Sequence, residues 1–348
     1  MVKNRILLVL EVVLLLVCIS SLVSCGSSRA SSPATPAATA PQRLDTGPLG
    51  LPLYCPIYVT HDQQGNLYVT DSDQGNKGSH RARIVKLSPT GQLLAEWHVF
   101  NTFQIHSSSQ FGNITGPYGL AVDASGIIYV ADAGDNTIKK LSPTGQLLAT
   151  WGKTGSAPGE LSWPQGVAVD AQGNVYVVDA NSNRIQKFSS TGTLLAVFGN
   201  TGSSIEHLNL PVGIDLDAQG DVYVGDLRNH RLVKFSPQGR FLTAWSGAGG
   251  IQFSSARGVA VDRAGNIYLT DARNLRIVKF SPTGKVLAIW QRPMDLALFG
   301  ITVDPQGNTY VAYVVPSPNG GPRGGIRKLS PSGAALANWP ATCPPGGP

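Results

Sequence analysis

An all-β fold is predicted by three features of the sequence. A segment pattern recurs six times after residue 50, its apolar runs are only four to six residues long, and 40 glycines and 24 prolines accompany a charged fraction of just 14% in 348 residues. Short β-branched and aromatic runs bounded by Gly, Pro, Asn or Ser are strands joined by hairpins. The low charge and high turn content exclude a solvated, disordered chain.

The clearest copy of the pattern starts at Pro164. PQGVAVD is followed by an AQGN turn, then VYVVD, a short polar loop, RIQKF, an SSTG turn and TLLAVFG. One copy is therefore a four-stranded antiparallel sheet. The first strand ends on Asp62, Asp123, Asp170, Asp217, Asp262 and Asp304 in the six copies, and the fourth carries Trp97, Trp151, Phe198, Trp245, Trp290 and Trp339. Such a sheet is apolar on both faces, and exposing either costs about 25 cal/mol per Å². Radial stacking around a central channel buries both faces of every copy, so residues 51–343 are predicted to form a six-bladed β-propeller, with 344–348 as a tail.

The run from Gly119 (GLAVDASGIIYVADAGDNTIKKLSPTGQLLATWG) and the run at Gly213, with Asn229, His230 and Arg231, resemble the NHL repeat. The resemblance covers nearly all of residues 51 to 343. It implies a six-bladed propeller of the kind used mainly as a binding platform for proteins or nucleic acid, with some relatives acting as lyases that hold a metal in the channel.

Ahead of the repeats, Lys3 and Arg5 precede an apolar stretch from Ile6 to Val23, which reads as an export signal over residues 1–24. Leu22, Val23, Ser24 and Cys25 resemble a bacterial lipobox, which implies cleavage before Cys25 and a lipid on its thiol. An uncleaved membrane anchor is the alternative, but Glu11 inside the stretch would cost a few kcal/mol near the bilayer centre. Residues 25–50, rich in Ser, Ala, Thr and Pro, form a tether too poor in large apolar groups to fold. The expected location is the cell envelope, with the chain lipid-anchored on the extracytoplasmic side of a bacterial membrane. Loss of Lys3, Arg5 and Glu11 with the signal takes the net charge from +6 to +5, and the basic residues are scattered, so no nucleic-acid partner is expected.

Two cysteines remain, Cys55 and Cys343, one at each end of the repeats. In an oxidising compartment a lone pair is a disulfide more simply than a metal site, and this one would join blades one and six. The repeat frame starts on an inner strand and ends on an outer one, so no blade is expected to be shared between the chain ends.

The repeated charges read first as structure. Asp at the end of each first strand precedes a Gly-containing turn that its carboxylate can cap. A second Asp (Asp71, Asp132, Asp179, Asp226, Asp271) faces Arg83, Arg184, Arg231 and Arg276 in four blades, where ion pairs are expected. Blade six has Tyr313 and Gly325 instead, and blade two keeps Asp132 opposite Thr137, leaving a carboxylate more available to a ligand. Lys86, Lys140, Lys187, Lys234, Lys279 and Lys328 share one third-strand register, where solvated lysines can lay their stems along apolar surface and discourage edge-to-edge aggregation.

Catalytic motifs are not evident. His61 occupies an inner-strand position held elsewhere by Val or Leu and is the one weak candidate for a channel metal; His80, His98, His106 and His207 fall in loops without ligand spacing. No cofactor is expected. The informative departures are insertions after Asp71, after Tyr313 and between Trp97 and Pro117, all emerging on one face around blades six, one and two. They form the candidate ligand patch: Asp73, Asn76, Lys77, His80, Arg81, Phe103, His106, Tyr313 and Arg323, with Asp132 nearby. The reading is a monomeric, membrane-tethered module that binds an extracytoplasmic protein or glycan; the alternative is a metal-dependent lyase or hydrolase with its site at the channel mouth.

Overall fold

The computed structural model of the chain describes residue 53 and residues 55–72, 82–98, 100, 116–199, 205–291, 297–315 and 323–342. Blade one is β1 (Pro56–His61), β2 (Leu67–Ser72), β3 (Ala82–Leu87) and β4 (Leu93–Trp97). Blade two is β5 (Pro117–Val122), β6 (Ile128–Asp132), β7 (Thr137–Leu141) and β8 (Leu147–Trp151). Blade three is β9 (Pro164–Val169), β10 (Val175–Asp179), β11 (Arg184–Phe188) and β12 (Leu194–Phe198). Blade four is β13 (Pro211–Leu216), β14 (Val222–Asp226), β15 (Arg231–Phe235) and β16 (Phe241–Trp245), followed by a small hairpin of β17 (Gly247–Ala248) and β18 (Ile251–Gln252). Blade five is β19 (Ala256–Val261), β20 (Ile267–Asp271), β21 (Arg276–Phe280) and β22 (Val286–Gln291); blade six is β23 (Ala297–Val303), β24 (Thr309–Val315), β25 (Arg323–Leu329) and β26 (Ala335–Thr342).

Each blade is a four-stranded antiparallel sheet in sequence order. The inner strands β1, β5, β9, β13, β19 and β23 contact one another in turn and β23 returns to β1, so the ring of six is closed. The all-β, six-bladed expectation holds. Because the strands alternate in direction, the turns after the first and third strands lie on one face, the hairpin face. The loops after the second and fourth strands lie on the other, the loop face.

Glycine at the third inner-strand position is what lets the blades meet. A Cβ on Gly119 would collide with the backbone carbonyl of Gln165 in the next blade, and one on Gly213 with that of Arg257. Outside this ring of close backbone contacts, the second strands are almost fully buried: Tyr68, Tyr129, Tyr176, Tyr223, Tyr268 and Tyr310 are each 0–1% exposed. Each of these tyrosines packs on the fourth-strand aromatic of its own blade, at ring-centroid distances of 5.9–6.5 Å.

The expectation that the chain ends share no blade needs correction. Leu53, three residues before β1, forms a parallel bridge to Ala341 near the end of β26. The first residues of the propeller thus extend blade six before the chain enters blade one. A lone bridge outside the repeat frame carries no periodic signal, which is why the frame alone omits it.

Candidate functional site

Most repeated polar side chains are engaged within the fold. Asp62 Oδ1 accepts the backbone N–H groups of Gln64 at 3.0 Å and Asn66 at 2.8 Å, capping the first turn as expected. The same arrangement recurs at Asp170, Asp262 and Asp304. The second oxygen of Asp62 accepts the Tyr68 hydroxyl at 3.2 Å, and Lys86 lies 4.8 Å above the Tyr68 ring with its ammonium 3.4 Å from the same oxygen. Equivalent ion pairs join Lys187 to Asp170, Lys234 to Asp217 and Lys279 to Asp262. The expectation of a solvated lysine ring is therefore corrected: all six ammonium groups lie over a tyrosine, and Lys86, Lys187, Lys234 and Lys279 also pair with the turn carboxylate, combining cation–π and ionic attraction.

The expected Asp–Arg pairs form at 2.7–2.9 Å between Asp71 and Arg83, Asp179 and Arg184, Asp226 and Arg231, and Asp271 and Arg276. Each Asp also accepts a backbone N–H from the segment entering its own blade, that of Cys55 at 2.8 Å in the case of Asp71 and that of Ser162 at 2.7 Å in the case of Asp179. Blade two departs from expectation. Asp132 is 1% exposed, and Lys139 supplies its counter-charge at 2.7 Å while also reaching Asp135 at 2.6 Å. Burial nevertheless pushes the Asp132 carboxyl up. In blade six the Tyr313 hydroxyl donates to Asn338 at 2.8 Å, and Tyr313 is buried opposite Gly325.

Of the predicted ligand patch, Asp73, Asn76, Lys77, His80, Arg81, Phe103 and His106 lie outside the described residues, as do Cys25, Cys343 and residues 1–50. Asp132 and Tyr313 lie within the structure and engaged as above, and Arg323 begins β25. Cys55 is fully buried. The anchor strands of the insertions are longer than their counterparts. Pairing of β2 with β3 runs to Ser72 and Ala82, and that of β24 with β25 to Val315 and Arg323, whereas in blades two to five it stops at the pairs equivalent to Asp132 and Thr137.

One concavity among the described residues lies in the channel, at the hairpin face. A cavity of about 250 Å³ is lined by inner-strand residues from Tyr58 and Asp215 up to the turn residues Gln63, Ala124, Arg263 and Pro305. It adjoins a groove of about 800 Å³ toward blades three and four, with which it shares Gln63, Val169, Asp215, Val261 and Arg263. His61, singled out from the sequence, does line the channel. Its Nδ1 is 2.8 Å from Thr302 Oγ1, and burial holds its pKa below the ordinary histidine value against the pull of Asp304 and Asp62. Among the described residues no three His, Cys, Asp or Glu side chains gather as a metal site.

Two channel residues escaped the sequence reading. Asp215 stands where blades two, three and five have alanine, and Tyr58 stands where five blades have glycine. The signal was present as a departure from the repeat rather than as a motif. Asp215 accepts the N–H groups of Leu216 and Val261, both at 2.8 Å, and burial pushes its carboxyl up to about 6.

Segments 161–188, 208–235 and 253–280 match the NHL repeat family model. These lie in blades three, four and five, the blades without long insertions. Among solved structures, the chain is similar to a streptogramin B lyase at 17% identity and a TM-score of 0.58, over 84% of this chain and 85% of that one. It is also similar to a catalytically inactive virginiamycin B lyase from Staphylococcus aureus with quinupristin, at 13% identity and 0.53, covering 78% of this chain and 96% of that one. A chain of a nidogen/laminin complex aligns at 18% identity and 0.53, covering 79% and 92%. At such identities the likeness establishes the fold alone. No curated protein matches the sequence.

Proposed function

We propose that this chain, a six-bladed propeller built of NHL repeats, is a binding module of the bacterial cell envelope. A lipid on Cys25 holds it on the extracytoplasmic side, residues 25–50 act as a tether, and the loop face meets a protein or glycan partner. The observation that carries this reading is the lengthening of β2–β3 and β24–β25 past the ladders of the other blades. Neighbouring blades six and one thus rise above the loop face at the places where the sequence inserts extra residues. A rigid closed ring supports such a rim without reorganising on binding. The fold shared with a chain of the nidogen/laminin complex also supports a protein partner.

The lyase alternative draws support from the fold shared with a streptogramin B lyase. His61, its candidate ligand, spends Nδ1 on Thr302 and sits at the hairpin end of the channel, away from the inserted loops. That placement favours binding over catalysis.

Affinity capture from native envelopes, using the full chain beside a Lys77→Ala, His80→Ala, Arg323→Ala variant, tests the reading. A partner held by the former and lost by the latter supports it, and equal capture by both rejects the loop-face site. Fractionation of Cys25→Ser tests the anchor: release from the membrane is expected, and unchanged retention rules out the lipid.

A further inference from the structure

The repeat dictates what the channel wall should carry, and five side chains break the rule. At the third inner-strand position five blades have glycine and blade one has Tyr58; at the fifth, blades two, three and five have alanine while blades one, six and four have Thr60, Thr302 and Asp215; at the sixth, five blades are aliphatic and blade one has His61. All five departures are polar, and all five line the same cavity. Blades one and four are opposite in a ring of six, so Tyr58 and Asp215 face each other across the axis. Burial, and next the nearby Asp215 carboxylate, push the Tyr58 phenol up.

The cavity is a pit with a floor. Its wall includes no first- or second-position residue of any inner strand. Second-position residues Ile57, Tyr118 and Val212 are instead buried in an apolar cluster running from blade one to blade four, Gln165 and Phe299 are also buried, and the half-buried Arg257 lies 4.3 Å over the Phe299 ring. Tyr58 fills the room that glycine leaves elsewhere, its ring against Gly300. The opening is therefore toward the hairpin face, opposite the inserted loops.

What Asp215 lacks is a paired cation: Arg263 lines the pit among its turn residues, where it lowers the pKa of His61, but makes no ion pair with Asp215. A carboxylate offers about four lone-pair sites, and the two backbone N–H groups on Asp215 fill two of them. No ion pair involves Asp215 among the described residues, and burial lowers the His61 pKa, so that imidazole favours its neutral form at pH 7. Hard divalent ions need six to eight oxygens, and the other two lining carboxylates, Asp62 and Asp123, are engaged in capping their own turns and do not gather with Asp215. An ammonium group needs an acceptor anion, hydroxyl oxygens and an aromatic neighbour, which Asp215, Thr60, Thr302 and Tyr58 provide. The volume of about 250 Å³ is room for about eight waters, or a ligand on the order of ten heavy atoms.

We infer that the pit is a binding site for a small organic ammonium ion, with Asp215 as its counter-charge and Tyr58 and Thr302 as its polar and aromatic walls. This site is independent of the loop-face partner.

Calorimetric titration of the full chain at neutral pH, with ethanolamine and with choline, tests it beside the neutral analogues ethylene glycol and 3,3-dimethyl-1-butanol. Saturable binding of at least one ammonium compound is expected, with no saturation by its neutral analogue. Asp215→Ala, which restores the residue of three other blades, should weaken binding about ten-fold or more. If that variant does not fold, Asp215→Asn preserves side-chain volume and gives the same contrast. Failure of both ammonium compounds to saturate, equal binding of the neutral analogues, or affinity unchanged in the folded variant each overturns the inference.

Discussion

The indole of Trp339, in the last blade, covers Gly91, in the first, so closely that a Cβ at position 91 would fall within the ring. The same relation joins Trp97 to Gly145, Trp151 to Gly192, Phe198 to Gly239, Trp245 to Gly284 and Trp290 to Gly333, so one contact type locks all six seams, including the seam of closure. Gly91 has φ of +86°, and Gly159 has φ of +85° with nothing near its Cβ position. Gly159→Ala should cost about 1–2 kcal/mol for the left-handed backbone alone. Gly91→Ala should cost about 1–3 kcal/mol more, because the indole must move. Urea unfolding of both variants measures the difference, and equal losses would show that the closing seam does not depend on this contact.

The bridge between Leu53 and Ala341 brings the two ends of the described propeller side by side, and Cys55 and Cys343 each follow two residues later in the sequence. A disulfide between them is our proposal for the covalent clasp. The chain-entropy model gives about 5 kcal/mol for closing a loop of this length. Mass spectrometry of the exported protein should find neither thiol alkylated before reduction and both afterwards, and Cys343→Ser should lower the thermal midpoint. Two alkylated thiols without reductant would discard the clasp.

What could be read from the sequence followed from repetition. Strands, turn-capping Asp residues and Asp–Arg pairs recur at fixed offsets, so six copies of weak local evidence agree. The missed features are departures from the repeat. Lys139 holds a third-strand position that is Val in blades one, four and five, and Gln186 at the same register in blade three also reaches its blade's Asp, at 3.1 Å. A polar side chain at an aliphatic register was thus the sign that Asp132 has a partner two residues from the expected one. Asp215 among alanines and Tyr58 among glycines carried the same kind of sign for the pit. The pairing of the lysine ring with the turn carboxylates was not legible, because the carboxylate follows the first strand, the lysine lies on the third, and a sequence does not say which way a long side chain turns.

Lys139 is expected to be indispensable to blade two. Its side chain is 7% exposed, and Asp132 has, besides it, the backbone N–H of Gly134 at 3.0 Å. Lys139→Met would leave a buried carboxylate without a counter-charge, costing about 3 kcal/mol. Adding Thr137→Arg rebuilds the pairing used by four other blades and should recover much of that loss. Denaturation midpoints of the single and double variants decide the matter, and a Lys139→Met protein as stable as the parent would remove the pair from the account.

Asp215 should make the propeller less stable as pH rises. Its carboxyl titrates near 6 in the fold against 3.8 without it, so between these values the folded state keeps a proton that the unfolded state releases. Stability from this group therefore falls from about pH 4 to about pH 6, and the full cost, of order 3 kcal/mol, persists above. The two backbone hydrogen bonds lost with the carboxylate reduce the amount that removal recovers. Asp215→Ala should match or trail the parent near pH 4 and exceed it by about 1–2 kcal/mol at pH 7, measured by chemical unfolding at both values. An ammonium ligand bound to the ionised carboxylate would offset the same cost, raising the thermal midpoint of the parent at pH 7 and not that of the variant. Identical pH profiles for parent and variant would mean that the carboxylate is solvated well enough to titrate normally.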